Sequence, residues 1–350
     1  MSEDIWAARD TNPDAIEAAL RGLLHDRHAA NEGLAPARVL NLVVVVDREW
    51  KGEIANRLDR VGRYHASRTV LCAVEAGRGT LDAVATVTYE EPASGIGVIR
   101  EQVVIDMGPE HLPVLQTVVD PVLVSELPTL MWSPHGHEEA VAALLPIIDV
   151  MLLDSDGLLE PAQAFGRAHE LLEYVYVVDL AWLRTTPWRE RLAASFDLPA
   201  RRCTLDQIVG LEIRHQANST ASGLLLTGWL ASRLQWDREP LQSRNGAGLR
   251  GAGRREDGQV AIGLHPTNQD APGLVGVTVS CSDGFALSLD RARGGLCAQE
   301  RSPDGRAQTW KILGASRGEG DILGEGVRQA LLRDPTYRPA LDAARELCPQ

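Results

Sequence analysis

Two lysines, Lys51 and Lys311, are all that this 350-residue chain carries; the rest of its 35 basic residues are arginines. Lysine-dependent phosphate loops and Schiff-base chemistry therefore have almost no candidates. Cysteine is sparse as well. Cys72, Cys203, Cys281, Cys297 and Cys348 are odd in number, far apart and never in a C-x-x-C pair, which excludes a disulfide scaffold and a zinc ribbon. A bridge between Cys281 and Cys297, on strands expected to be neighbours, stays open beside the simpler reading of reduced thiols. No apolar run reaches the roughly 18–20 residues that cross a bilayer; the nearest, Ala140 to Leu153, is interrupted by Pro146 and Asp149. The opening Met1-Ser-Glu-Asp-Ile-Trp6 is acidic where a signal peptide is basic and then apolar. These absences point to a cytoplasmic protein with no membrane contact.

What is present is an ordinary globular balance, 44 % hydrophobic and 24 % charged, enough for a sizeable core. At about 100–200 residues per domain the length fits two domains. Charge is uneven. Residues 241–350 hold 14 Arg+Lys against 13 Asp+Glu, and subtraction from totals of 35 and 48 leaves 21 against 35 in 1–240. An acidic body repels phosphate backbones, so nucleic acid is not an expected partner. It suits a protein with a basic face.

Along the chain, Asn12 and Pro13 predict a helix start, and Ile16, Ala19, Leu20, Leu23 and Leu24 share one face as far as His28. Val39 to Val46 is a β-branched run that suits a buried strand. Glu53 to Val61 reads as a helix and Thr69 to Val74 as a strand. Leu81 to Tyr89 and Gly97 to Ile105 alternate like a hairpin. Ala140 to Leu153 predicts a helix broken near Pro146 and then a short strand, and Pro161 to Tyr174 a further helix. Pro187 predicts that a helix begins at Thr186 and runs to Phe196. Leu205 to Arg214 reads as a strand and Ser219 to Trp236 as an apolar helix, in which Gly223 and Gly228 imply close packing. Asp237 to Gly258 lacks periodicity and reads as a linker or long loop. The expected architecture is a mixed α/β body over 1–240 and a small, strand-rich α+β domain over 241–350.

Several motifs look chemical and lose their context on inspection. Gly246-Ala-Gly248-Leu-Arg-Gly251 has the letters G-x-G-x-x-G, but no strand leads in and no helix follows. Gly314-Ala-Ser316-Arg-Gly318 has the letters of a nucleophile elbow, yet the last histidine, His265, lies upstream of it. His135-Gly-His137-Glu138-Glu139 offers metal-ligand types without a spacing that supplies a third ligand; a loop ahead of a helix N-terminus is the plainer reading. Asp154 and Asp156 flank Ser155 as paired carboxylates or as an ordinary turn. No catalytic set, cofactor site or metal site emerges.

Eight tryptophans beside only three phenylalanines are the remaining signal. Several stand with arginine, as in Asp179-Leu-Ala-Trp182-Leu-Arg184-Thr-Thr186-Pro187-Trp188-Arg189-Glu190; Trp and Arg are enriched at interface hot spots, although Trp is also a core residue. This segment resembles the signature of the OpcA family, the glucose-6-phosphate dehydrogenase assembly proteins. Four further stretches match in order: Val39-Leu-Asn-Leu-Val43, His65-Ala-Ser67-Arg68-Thr-Val70, Glu126-Leu127-Pro128-Thr129-Leu-Met-Trp132, and Leu225-Leu-Thr-Gly228-Trp229-Leu230 through Trp236. Asp154-Ser155 falls where the family carries an Asp-Ser pair. The chain departs from the family at Glu126, where Asp is frequent, at Ser133, where a second Trp is frequent, and at Ala66, where Pro is common.

The resemblance implies a non-enzymatic partner of glucose-6-phosphate dehydrogenase that promotes its assembly or active form, and with it NADPH supply. Trp132, Trp182, Arg184, Trp188 and Arg189 are the expected partner interface or its support. The alternatives are a sugar-phosphate-binding enzyme using Asp154, His65 and Arg68, and a passive scaffold.

Overall fold

The computed structural model describes residues 2–30, 38–62, 66–90, 98–157, 160–243, 248–256, 258–314 and 319–349. The chain divides into two compact units. The first comprises Met1–Leu153, Tyr174–Val178 and Leu323–Leu332; the second comprises Asp154–Glu173, Asp179–Ile322 and Arg333–Gln350.

The first unit is built on β1 (Ser2–Ala8), α1 (Pro13–Ala30), β2 (Leu40–Asp47), α2 (Lys51–Gly62), β3 (Ser67–Val74), β4 (Asp82–Glu90), β5 (Val98–Met107), α3 (Leu115–Val119), β6 (Thr129–Trp132), α4 (Glu138–Leu144) and β7 (Val150–Leu153). After α5 (Pro161–Leu171), which belongs to the second unit, β8 (Tyr176–Asp179) returns to the same sheet. The strand order is β1-β4-β5-β3-β2-β6-β7-β8. From β5 to β7 the neighbours pair parallel, while β4 and β1 add antiparallel strands outside β5. The chain thus winds outward from β2 in both directions, the doubly wound arrangement, with its reversal point between β2 and β6. Central strands of such a sheet are covered on both faces, and β2 obeys: Leu40 and Leu42 to Val46 are at most 1 % exposed. The expected hairpin is β4–β5. Asn12 caps α1 by accepting from the Ala15 amide at 2.9 Å. The helix broken near Pro146 is α4, a 3-10 turn over Leu145–Ile147, then β7.

The second unit contains α6 (Leu180–Phe196), α7 (Pro199–Arg202), β9 (Ile208–Gln216), α8 (Thr220–Arg233), β10 (Asp237–Arg238), β11 (Gln242–Ser243), β12 (Leu249–Arg255), β13 (Gly258–Thr267), β14 (Leu274–Cys281), β15 (Ala286–Ala292), β16 (Gly295–Arg301), β17 (Ala307–Leu313) and α10 (Tyr337–Leu347); between them α9 (Glu319–Gln329) crosses the unit boundary. The sheet order is β10-β12-β13-β9-β14-β15-β16-β17, with β11 on β12. All pairs are antiparallel except β13–β9. The mixed α/β class holds.

Three expectations are corrected. The boundary near residue 240 does not exist, because β9 lies in the middle of the second sheet between β13 and β14. The presumed linker 237–258 contains β10, β11 and β12 instead. Its glycines serve packing: a Cβ on Gly251 would meet Leu241 Cδ2 at 2.6 Å, and one on Gly253 the Trp236 ring at 3.2 Å. Leu241 and Trp236 lie across the strand where apolar strand residues would have given a readable pattern. The third correction is α6, which begins at Leu180 with Pro187 inside it.

Gly228 behaves as expected. A Cβ there would lie 2.3 Å from the Ala340 carbonyl oxygen and 2.8 Å from the Ala344 nitrogen, so α8 and α10 touch backbone to backbone. No helix among the described residues is long and apolar enough to cross a membrane.

Candidate functional site

The signature segments converge at one place in each unit. In the first, Asn41 on β2 is fully buried, and its amide holds the loop ahead of β6. Asn41 Nδ2 donates to the Val124 carbonyl at 3.0 Å, and Asn41 Oδ1 accepts from the Val124 amide at 3.0 Å. In that loop Glu126 adopts φ +70°, the left-handed region that Asp and Asn tolerate better than Glu. Arg68 on β3 is buried among Glu101 (2.8 Å from Nε), Glu17 (3.0 Å) and the Val122 carbonyl (2.9 Å). Trp132 closes β6 at 3 % exposure. Two acids and one backbone carbonyl thus meet the Arg68 guanidinium, the pairing that a buried cation requires.

In the second unit the Asp-Ser pair and the tryptophan-arginine segment form one buried polar cluster. Asp179, the last residue of β8, caps α6: its Oδ1 accepts from the Ala181 amide at 3.0 Å and the Ser155 amide at 3.1 Å. Its Oδ2 accepts from Ser155 Oγ at 2.6 Å and the Tyr337 hydroxyl at 3.1 Å. That cap moves the helix start back from the expected Thr186. Arg184 then projects one turn along and grips Asp154 through two parallel bonds of 2.7 Å, the planar fork that only arginine offers. Its Nη1 also stands 3.6 Å from Asp156. Gly273, at φ +89°, lets the chain pass against the arginine stem, where a Cβ would sit 3.3 Å from Arg184 Cβ.

Asp156 Oδ1 accepts from the Ser222 amide at 3.0 Å, and its Oδ2 lies 2.6 Å from Ser222 Oγ. Ser222 Oγ is also 3.2 Å from the Ala181 carbonyl. A hydroxyl has one hydrogen. With Asp156 protonated, its own O–H donates to Ser222 Oγ, which donates onward to Ala181, and every group is satisfied. Burial, then the charge of Asp154, pushes Asp156 up to about 7 against the opposing pull of Arg184 and Ser222. Asp179 is pushed by burial to about 6, yet its four donors favour the ionised form.

A second layer surrounds α6. The Trp182 indole donates to Asp334 at 2.9 Å. The Arg189 guanidinium lies 3.5 Å over the Trp182 ring, with Nε donating to Thr185 Oγ1 and Nη2 to Thr186 Oγ1 at 2.9 Å. Burial lowers Arg189 to about 10, and it keeps its charge at neutral pH. Trp182 and Tyr337 meet at 5.7 Å between ring centroids. Trp188 is 1 % exposed. Of the five expected residues, Trp132, Trp182, Arg184 and Trp188 are buried, and the Arg189 side chain is 11 % exposed. Ser222, Gly273, Asp334 and Tyr337 complete the cluster, and no local pattern in the sequence announces them.

The competing motifs fare differently. Ser316 and His65 lie outside the described residues. Gly246 lies outside the described residues; Gly248 precedes β12 and Gly251 lies within it, in an antiparallel strand. The remaining residues of the sugar-phosphate alternative are committed elsewhere, Arg68 to Glu101 and Asp154 to Arg184. No group of three or more His, Cys, Asp or Glu among the described residues is placed to hold a metal. The His135 and Trp50 rings meet at 5.1 Å between centroids, tilted by 32°, and His137 Nε2 lies 3.4 Å from Asp47. All five cysteines are free. Cys281 and Cys297 lie on β14 and β16 with β15 between them, which corrects the expectation that their strands adjoin. Burial pushes the Cys72 thiol to about 12, and the Cys281 and Cys348 thiols to about 11.

Fold and cluster together define a class: a doubly wound α/β unit followed by a unit with a large, mostly antiparallel sheet, its most polar interior spent on holding helices. Comparison names it further. Residues 58–170 match the glucose-6-phosphate dehydrogenase subunit N-terminal domain, and residues 175–341 the corresponding C-terminal domain. The chain belongs to the OpcA family of glucose-6-phosphate dehydrogenase assembly proteins. It is 32 % identical over 133 residues to the putative OxPP cycle protein OpcA of Nostoc punctiforme, a match that spans 37 % of this chain and 29 % of that relative. Among solved structures, glucose-6-phosphate 1-dehydrogenase from Mycobacterium avium aligns over 89 % of this chain and 91 % of its own, with a TM-score of 0.56 at 9 % identity. The Gal80p super-repressor mutant from Saccharomyces cerevisiae aligns over 89 % and 94 %, with a TM-score of 0.50 at 9 % identity. These two likenesses show the fold alone.

Proposed function

We propose that this chain is a non-enzymatic, cytoplasmic partner of glucose-6-phosphate dehydrogenase that favours the assembled, active enzyme and so supports NADPH formation in the oxidative pentose phosphate pathway. The observation that carries the reading is the pair of subunit-domain matches running from residue 58 to 341. The signature residues support it, because each polar group in the cluster is spent on a neighbour in the fold instead of facing a substrate. A protein that binds the active form of an enzyme more tightly than the inactive form must shift the population toward it. A hundredfold shift needs about 2.7 kcal/mol of differential affinity. In this reading Arg184, Arg189, Trp182, Trp188 and Trp132 act as support: they fix the elements whose outer faces meet the enzyme.

The experiment is a titration of this protein into purified glucose-6-phosphate dehydrogenase of the same cell, following NADPH formation. Saturable activation, through a lower apparent KM or a higher turnover, is the expected result. Binding without any kinetic change would mean a passive scaffold. A flat response with no complex on a sizing column would end the proposal.

A further inference from the structure

The doubly wound sheet of the first unit brings to one edge the groups that such sheets use for dinucleotides: the turn after β2, the N-terminus of α2, and the residue after β3. In this chain that turn reads Asp47-Arg48-Glu49-Trp50-Lys51-Gly52. With Gly52 set as the third glycine of a G-x-G-x-x-G turn, Asp47 and Glu49 stand at the first two. Those are the positions where the absence of a side chain lets a pyrophosphate approach the backbone. Two carboxylates there also place negative charge at the helix end that would have to hold it.

The acid that binds a ribose in such folds has its counterpart in Glu75, directly after β3, but the turn's own cations reach it first. Arg48 Nη1 lies 3.2 Å from Glu75 and 3.3 Å from Asp106 on β5. Lys51 Nζ lies 2.9 and 2.8 Å from the two carboxylate oxygens of Asp106. Arg78 also pairs with Glu75, at 2.6 Å. On the opposite side of the reversal point the Trp50 ring lies against His135 from the loop after β6, while His137 faces Asp47.

We infer that the chain's own charges make the dinucleotide end of this sheet unfit for its usual ligand: Arg48 and Lys51 are paired with the strand-end acids, Asp47 and Glu49 refuse the phosphates, and the protein takes up no NAD(P)(H) there. NADPH appearing in a mixture with a dehydrogenase is then bound and released by the dehydrogenase alone. This inference stands apart from the activator reading, since an activator with its own dinucleotide site would still activate.

The test uses the full chain without any enzyme. NADP+, NADPH and NAD+ are titrated by calorimetry, with a glucose-6-phosphate dehydrogenase as positive control, and melting midpoints are recorded with and without dinucleotide. The expected result is no saturable binding up to about 1 mM, the weak end of ligand affinity, and no shift in melting. Saturable binding below that concentration, or a midpoint raised by dinucleotide, overturns the inference. A variant tests the pairing of Lys51 with Asp106 directly. Lys51→Met keeps the side-chain bulk and removes the charge, and is expected to melt lower than the wild type; a variant that melts with the wild type overturns the role given to Lys51.

Discussion

At the scale of single residues the chain's behaviour turns on a few buried charges. Burial, and then the charge of Asp154, push the Asp156 carboxyl from its ordinary 3.8 up to about 7 in the folded chain. Between those values the folded state holds the extra proton, so the stability contributed by this group is full below about pH 4 and is lost as the pH rises through 7. Asp179, at about 6, acts in the same direction. Asp156→Asn keeps the shape without the charge. Its urea midpoint should fall less between pH 5 and pH 8 than that of the wild type, and a steeper fall in the variant would contradict the assignment of the proton. Arg184→Ala breaks a fork whose arginine side chain is 7 % exposed and whose carboxylate is 27 % exposed. The loss should be about 3 kcal/mol in denaturant unfolding, the lower end for a buried pair because Asp154 keeps some water. Arg184→Lys should recover little of it, since an ammonium cannot make two parallel bonds. If Arg184→Ala and Arg189→Ala both left enzyme binding and activation intact, their supporting role in the proposed function would be abandoned.

At the scale of elements, glycines separate packing from propensity. Gly228→Ala on α8 gains about 1 kcal/mol of helix propensity but drives a methyl into the α10 backbone, and should lose about 1–3 kcal/mol overall. Gly22 on α1 meets nothing within 4 Å of a new Cβ, so Gly22→Ala should stabilise by about 0.5–1 kcal/mol. Chemical denaturation of both variants checks the pair, and equal shifts would mean that α8 and α10 do not touch as described. Helix α6 shows the same contest from the other side. An internal proline costs about 3 kcal/mol in an isolated helix. Here the Asp179 cap, the Arg184 fork and the Arg189–Trp182 stack hold the helix through Pro187.

For the whole molecule, the formal net charge of −13 at pH 7 sets the terms of association. If this net negative charge steers the chain toward a basic face of the proposed partner, the association rate should fall as salt is raised from about 50 to about 500 mM, because screening shortens the reach of the field. A rate indifferent to salt would place the interface on uncharged surface. The family matches and the dehydrogenase-like fold meet at this scale. At 9 % identity to a solved dehydrogenase the likeness is one of architecture alone.

Wherever the cause was local, the sequence sufficed. The β-branched run of β2, the alternation of β4 and β5, the cap at Asn12, the break at Pro146 and the tight packing at Gly228 were all legible, because strand and helix periods and proline chemistry act over a few residues. The family signature was legible for the same reason, as short ordered strings. Only the tertiary structure decided what those strings touch. Ser155 reaches Asp179 across 24 residues, Ser222 reaches Asp156 across 66, and Tyr337 reaches Asp179 across 158; no local period encodes such pairs. The unit boundary was hidden likewise, since β9 joins its sheet through β13 and β14, some fifty residues on, and glycines in β12 erase the apolar pattern that would have marked a strand. Composition determined an acidic, globular, lysine-poor chain. Folding determined that Trp132, Trp182, Trp188, Arg68 and Arg184 lie inside, because buried cations are stable only where distant acids and backbone oxygens come to meet them.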